Sequence, residues 1–212
     1  MFNHSVHHPT VKTAGSFAIS AAFTLAASFT IFSVFSLPAH AASRKLYEFD
    51  YRVTRSGPVG SSLFRRPIKA TTVHALNELK RCFNCSFPVK GAPKTYPKSD
   101  QQIPLKACAK FTSRFTCKPA PVKAYPFNSL GRLLLIAQRG HFDGANSSVT
   151  FQFYTEQKTG ELKLKVVAYV TNPTIPDEIN KQSADDTWNR FARQLGDNMW
   201  ANTCAKGKVC GK

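Results

Sequence analysis

The chain has 212 residues, with 29 Lys and Arg against 12 Asp and Glu, a net charge of +17 and 42% hydrophobic residues. That composition excludes a disordered chain and an acidic one, and the basic balance points to anionic partners. The P-loop, dinucleotide, H-E-x-x-H and G-x-S-x-G signatures are absent from the sequence, so no cofactor, metal or named reaction is expected.

Residues 1–41 read as a secretory signal. Lys12 is their only charge, Ala14 to Leu37 is apolar or small, and Ala39-His40-Ala41 supplies the small residues that signal peptidase needs. Cleavage near Ala41 would release residues 42–212 as one secreted or periplasmic domain. Only His74 and His141 remain in that part.

The charge is concentrated. Residues 51–142 hold 17 bases and only Glu78 and Asp100 as acids, whereas 143–212 hold nine bases and eight acids. Nine of the thirteen prolines lie between Pro58 and Pro126, so the basic segment, 51–130, is expected to be loops and short strands.

In chain order, alternation over Lys45–Thr54 predicts a half-buried strand with Tyr47, Phe49, Tyr51 and Val53 on one side. Thr72–Cys82 reads as a short helix with Val73, Leu76 and Leu79 apolar, and with His74 facing Glu78 one turn on. Arg132–Gln138 suits a central strand. The runs around Val149–Phe153 and Leu162–Val170 flank Gln157-Lys-Thr-Gly160 and predict a hairpin. Pro173 and Pro176 break the chain, and Ser183 is expected to cap a helix with Trp188, Phe191, Ala192, Leu195 and Met199 along one face. The predicted fold is α+β: a mostly antiparallel sheet of meander and hairpin, packed against the C-terminal helix, with a basic disulfide-bonded insertion; residues 131–212 supply the sheet and helix.

Six cysteines in an exported chain imply three disulfides. Cys204 and Cys210 flank a short loop and are expected to pair. Cys108 and Cys117 can pair if the chain turns near Ser113; on one continuous strand they cannot. Cys82 and Cys85 have the spacing of a redox motif, but they close the predicted helix, where the dipole disfavours a thiolate.

Three functional classes follow. The first is a binding module for an anionic polymer (nucleic acid, acidic polysaccharide or lipopolysaccharide) or an anionic membrane surface. Lys80, Arg81, Lys90, Lys94, Lys98, Lys110 and Arg114 would supply attraction, and Phe111 and Phe115, with Phe83, Phe87 and Tyr96, would supply stacking. The second is a secreted nuclease-type toxin, with His141 as acid or base, Arg139 holding the phosphate and Asp143 orienting the imidazole. The third is an inhibitor of a secreted enzyme.

Overall fold

The computed structural model describes residues 42–56, 65–111 and 114–204. The expected signal and Cys210, the partner expected for Cys204, lie outside the described residues.

Strand β1 (Arg44–Arg52) opens the domain, followed by a two-residue ribbon of β2 (Thr54–Arg55) and β3 (Arg66–Pro67). Helices α1 (Thr72–Arg81) and α2 (Phe83–Ser86) come next. A meander then runs through β4 (Gln101–Phe111), β5 (Arg114–Phe127), β6 (Arg132–Ala137), β7 (Ser148–Thr155) and β8 (Leu162–Val170). Helix α3 (Asp177–Met199) closes it. The six-stranded sheet has the order β1-β8-β7-β6-β5-β4 and is antiparallel throughout. This is the predicted α+β arrangement.

Alternation decides which face is covered. On β8, Leu162, Leu164, Val166, Ala168 and Val170 are buried, and the residues between them are not. Phe151 and Phe153 of β7 and Leu133 and Leu135 of β6 share that face. Phe191, Ala192, Leu195 and Met199 of α3 pack on it. Tyr47 and Tyr51 of β1 reach the same helix: Trp188 Nε1 donates to Tyr47 Oη at 2.9 Å, and Tyr51 Oη donates to Asp185 Oδ1 at 2.6 Å.

The structure corrects five local expectations. The basic segment is not mainly loops, because β4 and β5 are its longest elements, at 11 and 14 residues. They tolerate proline through register. Pro104 lies opposite Pro121, so these positions cannot be hydrogen-bonded pairs. On β4, Lys106, of the same parity as Pro104, donates outward to Lys90 O at the sheet edge, so the missing N–H of Pro104 also belongs to the edge. Pro119 lies past the last β5–β6 pair, Val122 with Ala137, and Pro126 past the last β4–β5 pair, Gln101 with Ala124. No ladder bond is lost at either.

Helix α3 starts six residues before Ser183, with Pro176 at its N-cap and Asp177 and Glu178 in its first turn. Proline costs little there, since the first helical N–H groups have no partner within the helix. His74 does not meet Glu78. Its Nδ1 accepts the Thr71 N–H in a capping box, while Glu78 is buried against Arg81 and Asn202. Val73 is 60% exposed, because Ala75, Leu76 and Leu79 form the packed face. Phe83 and Phe87 are buried and Tyr96 packs against the core, so these three are not stacking platforms.

Two disulfides are present among the described residues. Cys82–Cys85 joins the C-cap of α1 to α2. Cys108–Cys117 links residues directly opposite on β4 and β5, with Cα atoms 4.0 Å apart. Because β6 reaches only to Val122, this second bridge staples a ribbon that runs past the sheet. Replacing both its cysteines by Ala should lower unfolding stability by roughly 2–3 kcal/mol, from the loop entropy restored to the unfolded chain. Equilibrium denaturation checks it; an unchanged midpoint would show that the staple does not constrain the unfolded state.

Candidate ligand cavity

Helix α3 presents one continuous stripe to the sheet, but the side chains along it change in size. Its C-terminal half carries Phe191, Leu195 and Met199, which fill the interface. Its N-terminal half carries Asn180, Ser183, Ala184 and Thr187 on the same face. The sheet opposite is also lined with short residues, among them Ala107, Ala120, Ala137 and Ala168. Short side chains on both surfaces leave a cavity of about 280 Å³. Leu105, Val122, Leu135 and Val149 line its sheet side, and Phe87 and Trp188 line it further. Small-molecule sites are usually ~300–1,000 Å³, so this one suits a compact or slender molecule.

One wall is the β6–β7 loop, the segment that carries His141 and Asp143. Gly144, with φ of +87°, permits its tight approach to the chain after β8, because a Cβ there would lie 2.7 Å from Asn172 N and Thr171 Oγ1. Asn172 N and Thr174 N donate to the carbonyls of Asp143 and Phe142, and Ser147 Oγ also donates to Asp143 O. Asn180 Nδ2 donates to Asp143 Oδ1 at 2.6 Å, which ties the loop to α3.

His141 Nδ1 accepts the Asp143 backbone N–H at 3.0 Å, so the neutral ring carries its proton on Nε2. Burial pushes this imidazole down to about 4. Burial pushes the Asp143 carboxyl up to about 6, against the Asn180 hydrogen bond that lowers it. His141 Nδ1 and Asp143 Oδ2 lie 3.8 Å apart, but at neutral pH the ring is uncharged and Nδ1 is already occupied, so this is not an ion pair. Tyr47 Oη accepts from Trp188 and lines the cavity, and its own proton has no acceptor among the described residues.

The predicted site residues therefore separate. His141 and Asp143 come together in the cavity wall, but Asp143 does not orient the ring through an Nδ1–H bond. Arg139 is exposed, does not line the cavity and has no ion-pair partner among the described residues. Arg81 is engaged with Glu78. Lys80, Lys90, Lys94 and Lys98 form no ion pair among the described residues, and Lys90 borders the cavity. Lys110, Phe111, Arg114 and Phe115 lie at the far end of the stapled ribbon, where the backbone alone is described. Sequence reading missed Tyr47, Asn180, Ser183 and Thr187 as lining residues; the signal available was the run of short residues on one face of α3, visible only once its start at Asp177 is known. Among the described residues, no group of three or more His, Cys, Asp or Glu could hold a metal, and no helix is long and apolar enough to cross a membrane.

Fold and site together define an antiparallel sheet closed by a long helix over an open apolar cavity. No family model and no curated protein matches the chain. Solved structures similar to it include a START superfamily protein from Mycobacterium smegmatis, at 13% identity and a TM-score of 0.45, covering 74% of this chain and 99% of that one. A protein from Thermus thermophilus has 13% identity and a TM-score of 0.44 over 73% of this chain and 98% of its own. A major latex-like protein from Panax ginseng has 10% identity and a TM-score of 0.45 over 73% and 95%.

Proposed function

We propose that this chain binds a small, largely apolar molecule between the sheet and the N-terminal half of α3. The observation that carries the reading is the matched shortage of side-chain volume on both surfaces, which leaves about 280 Å³ unfilled beside a tightly packed core. A well-formed apolar pocket with a few convergent polar groups is the usual form of a small-molecule site. Tyr47 Oη and His141 Nε2 supply two donors to orient an acceptor on the ligand. The test is titration with the neutral fluorophore N-phenyl-1-naphthylamine. Saturable binding is expected, and Ser183→Phe, which fills the cavity from α3, should weaken it at least about tenfold without lowering the melting temperature. Equal binding by that variant would overturn the reading.

A second reading, attraction to an anionic polymer or surface, is supported by the lysines of 51–142 that lack ion pairs among the described residues. It predicts retention of the protein on heparin well above the salt that elutes a neutral control. The nuclease reading keeps His141 alone of its acid–base set; it predicts RNA or DNA cleavage that His141→Ala abolishes. We also infer export, supported by the two disulfides and the apolar start followed by Ala39-His40-Ala41.

A further inference from the structure

We propose that the ligand of this cavity is a compact organic cation: an apolar body held between sheet and helix, and a protonated amine held by the carboxylate of Asp143. The inference rests on the cavity reading and adds the charge of the ligand.

The first observation is a missing partner. Among the described residues, the acids that are not exposed are Glu78, Asp143, Glu156, Glu161, Asp177 and Asp197. Arg81 pairs with Glu78, Lys163 with Glu156, Arg52 with Glu161, Arg44 with Asp177 and Arg65 with Asp197. Asp143 has no such cation among the described residues. His141 Nδ1 lies 3.8 Å from its Oδ2, but that ring is neutral at pH 7 and its Nδ1 already accepts the Asp143 N–H. Taking a carboxylate out of water is costly unless an opposite charge comes with it. A bound cation would supply that charge.

The second observation is which atoms of Asp143 are left over. Its N–H donates to His141, and its carbonyl accepts from Asn172 N and Ser147 Oγ. Its Oδ1 accepts from Asn180 Nδ2. Its Oδ2 makes no hydrogen bond among the described residues and is not sealed in protein. Asp143 and Asn180 both line the cavity. One carboxylate oxygen is therefore free to accept at the cavity wall, and an ammonium N–H is its strongest donor. The carboxylate is also felt by Tyr47, another lining residue. Burial pushes the Tyr47 hydroxyl well above its ordinary 10, the Trp188 bond opposes this, and the charge of Asp143 adds to it.

The third observation is the surroundings. Burial pushes the Asp143 carboxyl up to about 6, the Asn180 bond opposes this, and the charge of Asp177 adds to it. At pH 7.5 the group is ionised, with a second acid nearby. Tyr47, Phe87, Phe142 and Trp188 line the cavity, and aromatic rings are the apolar surface that best receives a cation. The Tyr47 Oη and His141 Nε2 donors complement an oxygen on the same ligand. An anionic ligand would instead meet the uncovered carboxylate.

The experiment compares octylamine, octanol and octanoate, all below micelle-forming concentrations, by displacement of N-phenyl-1-naphthylamine at pH 7.5. Octylamine should bind at least about tenfold more tightly than octanol, and octanoate most weakly. The advantage of the amine should persist in about 0.5 M NaCl, since a buried pair is screened far less than a surface one. In Asp143→Asn, which keeps an oxygen for Asn180, the ratio of amine to alcohol affinity should fall to within about twofold of unity. A merely structural role for Asp143 would weaken both ligands and leave that ratio in place, and this result would overturn the assignment. The wild-type ranking tests the charge without any variant. If octanol or octanoate binds as tightly as octylamine, the cation inference is overturned and the apolar cavity stands. If the fluorophore does not bind to the wild type, the cavity reading itself falls.

Discussion

Gly196→Ala should destabilise this protein by about 3 kcal/mol, although alanine is the better helix former by ~1 kcal/mol. Gly196 lies inside α3, where glycine weakens a helix by its backbone freedom. It is retained where the helix meets the start of the β2–β3 ribbon. A Cβ at this position would fall 2.2 Å from Thr54 O and 2.6 Å from Thr54 C, a backbone contact that no rotamer relieves. The chain here is pinned to the helix. Ser56 N donates to Asp197 Oδ1 at 2.6 Å, and Arg65 Nη2 donates to Thr54 O, Arg193 O and Asp197 Oδ2. Relief of the clash therefore means breaking several of these bonds together. Denaturant midpoints of Gly196→Ala and of the exposed helix control Asn189→Ala measure it; a Gly196→Ala midpoint at or above that of the wild type would show that the approach is looser than the structure has it.

The second large effect is in pH dependence. The folded His141 titrates near 4, below its ordinary 6.5, so the unfolded chain binds more protons and stability rises with pH between about 4 and 6.5. The folded Asp143 titrates near 6, above its ordinary 3.8, so the folded chain binds more protons and stability falls with pH between about 4 and 6. Each of these displacements corresponds to roughly 3 kcal/mol, and the two oppose each other over almost the same window. The wild type should therefore show little slope from this pair. His141→Gln leaves the carboxyl alone, and its stability relative to wild type should fall as pH rises from 4 to 6.5. Asp143→Asn keeps an oxygen for the Asn180 bond and leaves the imidazole alone, and its relative stability should rise from 4 to 6. Denaturation series at half-unit intervals read both differences. Parallel curves for all three proteins would mean that neither group is buried as described.

Much of the sheet was readable from local pattern. Tyr47, Phe49 and Tyr51, the Leu162–Val170 run and the Phe191–Leu195–Met199 spacing each report a periodicity of their own segment, and each element formed around its alternating or helical pattern. What failed locally failed through tertiary override. The four prolines in β4 and β5 read as breakers because their cost depends on which ladder hydrogen bond the missing N–H would have made, and only the register shows that Pro104, Pro119 and Pro126 lose none. Glu78 read as a solvated partner for His74 until Arg81 and Asn202 enclosed it.

Composition and patterning alone determined the fold class, the concentration of positive charge in 51–142 and the option, but not the choice, of a Cys108–Cys117 bridge. The cavity was decided only by the tertiary structure. It is a deficit of volume shared among Ala120, Ala137, Ala168, Ser183 and Thr187, on elements far apart in the chain. A short residue in one segment says nothing until the residue facing it is known to be short as well. The Lys90–Lys106 bridge has the same origin: sixteen residues apart in sequence, the two lysines become neighbours only because the chain after α2 runs along the edge of β4.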